Sequence, residues 1–420
     1  MRQLLPNKNF RYLWMHNSSL LLNLRFREIV IPLIVLALTT SPVMTSLVAM
    51  SQRLATVLFA IPFGTWVETK NKIRISATSH ILYAACIFLL AYLISSNQVT
   101  LASLILLLFM MGALEVVSTT VVQVVVPRVV GRTNLLQANT ALEAGDALVT
   151  LVGPALGGFI LAQYGHSVTL YVCGILSLLS MLLISFVKYQ KFEQTEVIQE
   201  TKNKTQDFII RSIAGIKYLT ANMQQKISII FACSLGFTTV YITLVILYHA
   251  RISLGFSEEY IGIILASAGI GNILGILIIP YLRRSNWIFL LCTLSLCSAA
   301  GILLMMSDQF IIICIGMIVF DGALSMGFIV QLSAQQGITE DHFLSRIRSA
   351  TYVLGGIVAI VATFLSGALT EWISSYFALS FGALVIAIPG VLLLFYCKHG
   401  TPMNKVNPIT LEHRSSTTST

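Results

Sequence analysis

Charge is what this sequence has least of. Asp, Glu, Lys and Arg together make up only 10% of its 420 residues, against 56% hydrophobic, whereas soluble domains carry about 25% charged residues. Too few polar groups are present to cover a water-facing surface, which excludes an ordinary soluble domain. Enzyme signatures are missing too: there is no Gly-Lys-Ser/Thr phosphate loop, no His-Glu-x-x-His and no Gly-x-Ser-x-Gly. ATP is therefore not expected as the direct energy source, and the chain is not expected to be an enzyme. The seven histidines fall in no spaced pair. The seven cysteines (Cys86, Cys173, Cys233, Cys292, Cys297, Cys314, Cys397) show neither metal-ligand nor redox spacing. They read as small apolar filler, so no metal, disulfide framework or cofactor is expected. A cleavable leader is not expected either, because the basic N-terminus runs straight into an apolar stretch too long for one.

What the sequence has in quantity is long apolar runs. Windows of about 20 residues, enough to cross a hydrocarbon layer of about 30 Å, fall at Leu13–Leu36, Val43–Trp66, Ile75–Ser95, Val99–Val126, Asn139–Gln163, Ser167–Val187, Ile227–His249, Glu258–Tyr281, Asn286–Met305, Gln309–Ala334, Ile347–Thr370 and Ile373–Cys397. The lipid bilayer is then the main partner. All of the 26 Lys and Arg except Arg25, Arg27, Arg53 and Arg251 fall on one side of this layout, a positive-inside bias that places both termini in the cytoplasm. That distribution leaves no basic patch for nucleic acid.

Most connections are short, but a charged stretch from Lys188 to Lys226 separates two sets of six windows. The expected fold is all-α and polytopic, with twelve transmembrane helices in two pseudo-symmetric six-helix halves. Residues 1–187 form the first half, 188–226 a cytoplasmic linker, 227–397 the second half and 398–420 a polar tail too poor in apolar residues to fold alone. In the linker, Ile209, Ile213 and Ile216 beside Arg211 and Lys217 suit either an interfacial amphipathic helix or a solvated one. Two halves rocking about a midplane site is the layout of a secondary transporter, expected to work as a monomer.

Charge inside a span demands a reason, since an Arg, Lys or Asp at the bilayer centre costs roughly 2.5–3.5 kcal/mol even on translocon scales. At 1.5 Å per residue, Arg25 and Glu115 both lie about 18 Å deep, near the midplane. Arg53 and Asp321 come to similar depths, Glu28 lies about a turn beyond Arg25, and Asp146 about two turns nearer the cytoplasm. A carboxylate that is neutral in one access state and ionised in the other can carry a proton, with an arginine as its permanently charged partner. Fixed ion pairs that stitch helices together are the other reading of the same residues.

A third feature is the stretch from Pro127 to Ile160. It passes from a basic turn (Pro127, Arg128, Gly131, Arg132) into an apolar helix carrying Gly145 and Gly153-Pro154-x-x-Gly157-Gly158. Glycine and proline inside a span let another helix approach closely, so this helix reads as a hinge or gate. The stretch resembles the fourth-loop and fifth-helix signature of the major facilitator superfamily, in its drug:proton antiporter branch of macrolide-efflux and siderophore-exporter proteins. Asn7-Lys8-Asn9-Phe10-Arg11-Tyr12-Leu13-Trp14, Leu38-Thr39-x-Ser41-Pro42 and the loop motif Gly64-x-x-x-Glu68-x-x-x-Lys72-x-Arg74 resemble the same branch, as does Gly215-x-Lys217-Tyr218-Leu219 just before the second half.

The resemblance implies that spans one, four, seven and ten line a central cavity, placing Arg25, Glu28, Glu115 and Asp321 there, with Arg27 and Arg53 near it and Asp146 on a flanking helix. It also implies that Glu68, Lys72 and Arg74 lock the loop after the second span in one access state. Two departures stand out: the arginine usual in the fourth span is absent, and Leu22-Asn23 replaces the usual Gly-Asp pair. The expected function is proton-driven export of a bulky amphipathic small molecule, an antibiotic or a siderophore, across a bacterial inner membrane. The proton gradient is the energy source, with Glu115 the first choice of titrating group. An uptake symporter and a non-transporting receptor or assembly subunit are the alternatives.

Overall fold

The structure is a computed structural model that describes residues 7–69, 71–131, 135–188, 222–282, 284–339 and 344–403. Eleven helices run through these residues: α1 (Lys8–Thr39), α2 (Pro42–Thr69), α3 (Lys72–Ser95), α4 (Leu101–Val130), α5 (Leu135–Ser185), α6 (Met223–Tyr248), α7 (Glu258–Ile278), α8 (Trp287–Leu304), α9 (Phe310–Gly337), α10 (Leu344–Trp372) and α11 (Ser375–Leu392). Among the described residues the only β-type pairing is one isolated bridge, Asn286 with Pro402.

Ten of these helices are long and apolar enough to cross a membrane. α1 is not among them, because Arg25, Arg27 and Glu28 put three charges into its most apolar stretch. α5 counts once, although it contains the windows read as the fifth and sixth spans. Gly165, at φ 78°, divides it. That left-handed conformation is nearly free only for glycine, and it turns the chain within one residue where the sequence suggests a short loop.

Helix starts follow the sequence closely. The side chain of Asn7 accepts from the backbone N–H groups of Asn9 and Phe10 at the head of α1, and Asn71, Thr100, Asn222, Asn286 and Ser374 cap α3, α4, α6, α8 and α11 in the same way. Each satisfies amide donors that the helix itself leaves free. The Asn286 Nδ2 also donates to the carbonyls of Cys397 and Gly400 at 2.8 and 2.9 Å, and Met403 N–H donates to Ser285 O. The first residues of the polar tail are therefore tied to the head of α8. The linker segment with Ile209, Ile213, Ile216 and the Gly215–Leu219 motif, and the tail beyond Met403, lie outside the described residues.

The apolar core is continuous at one end of the bundle and divided at the other. At the end away from the termini, a single cluster joins both halves, from Val35, Val48 and Leu161 to Tyr248, Ile261 and Ala362. Toward the termini there are separate clusters: Phe10, Leu13, Val67 and Val121 in the first half, and Ile227, Phe231, Trp287 and Ala334 in the second. Polar contacts between halves follow suit. Tyr248 and Ser46 share a hydrogen bond of 2.9 Å, Gln163 donates to Glu259 at 2.8 Å, and Ser41 and the Val43 N–H both donate to Glu371. The halves are sealed at the far end.

Candidate functional site

α1 turns about 100° per residue, so side chains two apart point to nearly opposite sides of it. This separates Arg25 from Arg27. Arg25 faces α5, where its Nη2 donates to Thr150 Oγ1 at 2.9 Å and lies 3.5 Å from Asp146 Oδ1, while its Nη1 donates to Glu28 Oε2, one turn along, at 3.0 Å. Arg27 faces α3 and α4. It is only 4% exposed, donates from Nη2 to Glu115 Oε2 at 3.2 Å and from Nε to Asn23 Oδ1 at 3.1 Å, and lies 5.2 Å from the centre of the Tyr83 ring. Asn23 in turn donates to Cys173 O at 2.6 Å, and Gln52 donates to Glu115 Oε2 at 2.9 Å. The Glu115 carboxylate thus has two donors, and its cation is held from three sides. Such a pair survives burial because good geometry and extra hydrogen bonds offset the loss of water.

These groups line a cavity of about 550 Å³ between α1, α2 and α4 of one half and α6 and α10 of the other. Arg25, Arg27, Glu28, Gln52, Arg53 and Glu115 supply its charged and amide wall, Thr239, Thr243 and Tyr352 face them, and Ile31, Leu108, Val240 and Leu244 are among its apolar surfaces. The volume is that of a small-molecule site. Asp321 is not on this wall: it lies beside Asn272 on α7, within electrostatic reach of Arg25 and Asp146.

A family model described as Major Facilitator Superfamily matches residues 22–350. The chain belongs to that superfamily. It is a multi-pass membrane protein, and its similarity to solved members agrees. A bacterial homologue of the iron transporter ferroportin, in an inward-facing state, matches 93% of this chain and 98% of its own at a TM-score of 0.72 and 13% identity. A nucleoside transporter, NupG, matches 94% and 98% at TM-score 0.67 and 16% identity, and a D-xylose-proton symporter 95% and 99% at 0.65 and 13%. At these identities what is shared is the fold. No curated protein sequence matches the chain.

Against the superfamily layout, the structure gathers some of the expected residues and separates others. Arg25, Arg27, Glu28, Arg53 and Glu115 meet at one cavity, and Asp146 joins through Arg25. Arg25 and Glu115 share a depth but are not partners: Arg27 holds Glu115, since depth along a helix says nothing of the face. Asn23, a departure from the family pattern, is the residue that orients Arg27. Gln52, Thr150 and Asn272 went unread; the first was legible as a polar residue beside Arg53 inside a span. His16 and His80, far apart in sequence, meet edge to face at 5.1 Å, with His16 bonded to Ser180 and His80 near Ser177. Among the described residues no three metal-capable side chains gather. In the loop motif Lys72 is buried and Arg74 exposed; the surroundings of Gly64 and the side chain of Glu68 lie outside what is described.

The glycine run divides by face. A methyl at Gly145, Gly153 or Gly157 would meet α1, at Trp14, Arg25 and Phe26 respectively, at 2.9–3.1 Å. At Gly158 it would meet the backbone of α7, 2.5 Å from Glu258 O and 2.9 Å from Gly262 Cα. The first three glycines therefore hold one half together, and Gly158 seats α5 against the other half. Gly157→Leu is expected to lower the thermal midpoint by several degrees, since overpacking costs about 1–3 kcal/mol, with no change in which end is open. A thermal melt of purified protein checks it.

Proposed function

We propose that the chain is a proton-coupled secondary transporter that exports a bulky amphipathic small molecule by alternating access. It would have twelve crossings in two six-helix halves, working as a monomer in a bacterial inner membrane with both termini in the cytoplasm. The twelve comprise the ten apolar helices, α1, and the second arm of α5 beyond Gly165. α1 is tolerable in lipid because Arg27 is held by Glu115 and Asn23, and Arg25 by Glu28, Thr150 and Asp146.

The observation that carries the reading is Glu115. It is a mid-depth carboxylate on a cavity wall, bonded to a buried arginine and an amide, in a bundle sealed at the far end only. In the ionised form it holds Arg27 and Gln52; protonation removes the charge that holds them, so proton binding biases the packing of α1, α2 and α4. The export direction rests on the resemblance of the glycine-proline run in α5 to antiporters. A substrate mixed in character suits the cavity, which sets charged and amide groups against aliphatic ones.

Proteoliposomes holding a pH-sensitive dye test this. With macrolides and siderophores added outside, exchange for protons makes the lumen alkaline, whichever way the protein is inserted. Acidification means symport, and overturns export. No response to any compound favours a receptor or assembly subunit.

A further inference from the structure

Three arginines and two glutamates stand on the cavity wall, and the pairing leaves one cation over. Glu28 is taken by Arg25, and Glu115 by Arg27 and Gln52. Arg53 is one residue from Gln52 on α2, about 100° further round the helix, so it turns to the cavity while Gln52 turns to Glu115. Both glutamates are within its electrostatic reach, yet among the described residues Arg53 makes no hydrogen bond or ion pair. Asp146 and Asp321 do not line this cavity; both lie within reach of Arg25.

An arginine at mid-bilayer with no protein partner is an expensive feature. A guanidinium offers five donors in a planar fork that fits a carboxylate or phosphate at two points. Of the hydroxyls on the wall, those of Thr56 and, across the cavity, Thr239 and Thr243 have committed their protons to backbone carbonyls of their own helices, while Thr351 Oγ1 is buried without a partner among the described residues. We infer that Arg53 is a subsite for an anionic group, and that the transported molecule is an amphipathic anion whose carboxylate or similar acid seats on Arg53 while its apolar body lies along Ile31, Val240 and Leu244. This rests on the transporter reading and narrows it, since the acidic residues that would attract a cationic drug are already paired.

Three fluorescent anthracenes of one shape test the charge preference: the anionic 9-carboxylate, its neutral carboxamide and the cationic 9-aminomethyl compound. They are titrated against the full chain in lipid nanodiscs, with empty nanodiscs subtracted. The carboxylate is expected to bind at least about tenfold more tightly than the amide, equivalent to about 1.4 kcal/mol, with the amine weakest. In Arg53→Gln the preference should fall below about threefold while amide affinity holds, and Arg53→Lys should lie between, having charge without the fork. Equal or reversed ranking in the unmodified chain overturns the inference, as does a ranking that both variants leave unchanged. The lumen-pH assay keeps the two proposals apart. Anion preference without proton movement sinks the coupling and leaves the subsite, whereas proton movement driven equally by neutral and cationic compounds sinks the subsite alone.

Discussion

Glu115→Gln is expected to leave substrate binding within about threefold of the unmodified chain and to cut the substrate-driven lumen-pH response at least tenfold, the scale of about 1.4 kcal/mol or more in a coupling equilibrium. The reason lies in the two contacts to its carboxylate. Gln at this position still accepts from Gln52 and Arg27, so the wall keeps its shape, but it can neither take up nor release a proton. Some stability is lost as well. Arg27 remains 4% exposed and exchanges a charged acceptor for a neutral one, but it keeps Asn23 and the Tyr83 ring, so the loss should be about 1–3 kcal/mol. A variant that still moves protons at the usual ratio would transfer the role to Glu28, which is on the same wall, or to Asp321.

Much of this was legible from composition and from Gly and Pro alone. The apolar windows correspond to helices because a span must satisfy its own backbone, and the caps at Asn7, Asn71 and Asn286 mark helix starts by side-chain chemistry that any reader of the sequence can see. Pairing was less legible. Counting residues gives depth, and depth placed Arg25 beside Glu115; the rotation of α1 decides that Arg27 is there instead, and rotation depends on which helices pack on either side. His16 with His80, and Asp321 with Asn272, come together only through tertiary packing between helices remote in sequence. The sequence offers twelve apolar windows where ten helices of the structure pass by length and apolarity, because α1 carries Arg25, Arg27 and Glu28 and because two windows run together in α5 through a one-residue turn at Gly165.

The same rotation argument separates Gly158 from Gly157, and gives the second large effect. Gly158→Leu is expected to open the far end. The backbones of α5 and α7 touch there without side chains between them: a methyl at Gly158 falls 2.5 Å from Glu258 O, and one at Gly262 falls 2.6 Å from Pro154 O. Neither neighbour is a flexible side-chain tip that can move aside. The strain exists only while the far end is shut, so it shifts the balance between access states and not simply the fold. An overpacking cost of about 1–3 kcal/mol corresponds to about a 5- to 150-fold shift in population. Thr45 reports it, because it lines the cavity yet is only 1% exposed in the sealed state. In a background without the seven native cysteines, Thr45→Cys should be nearly inert to an impermeant maleimide applied on the side away from the termini. Adding Gly158→Leu should raise that labelling at least fivefold, whereas adding Gly157→Leu should leave it unchanged, since Gly157 meets α1 within its own half. Equal labelling in the two double variants would show that the α5–α7 contact does not hold the far end shut, and would move the seal to Ser46, Tyr248 and Ser366, whose hydroxyls meet on α2, α6 and α10.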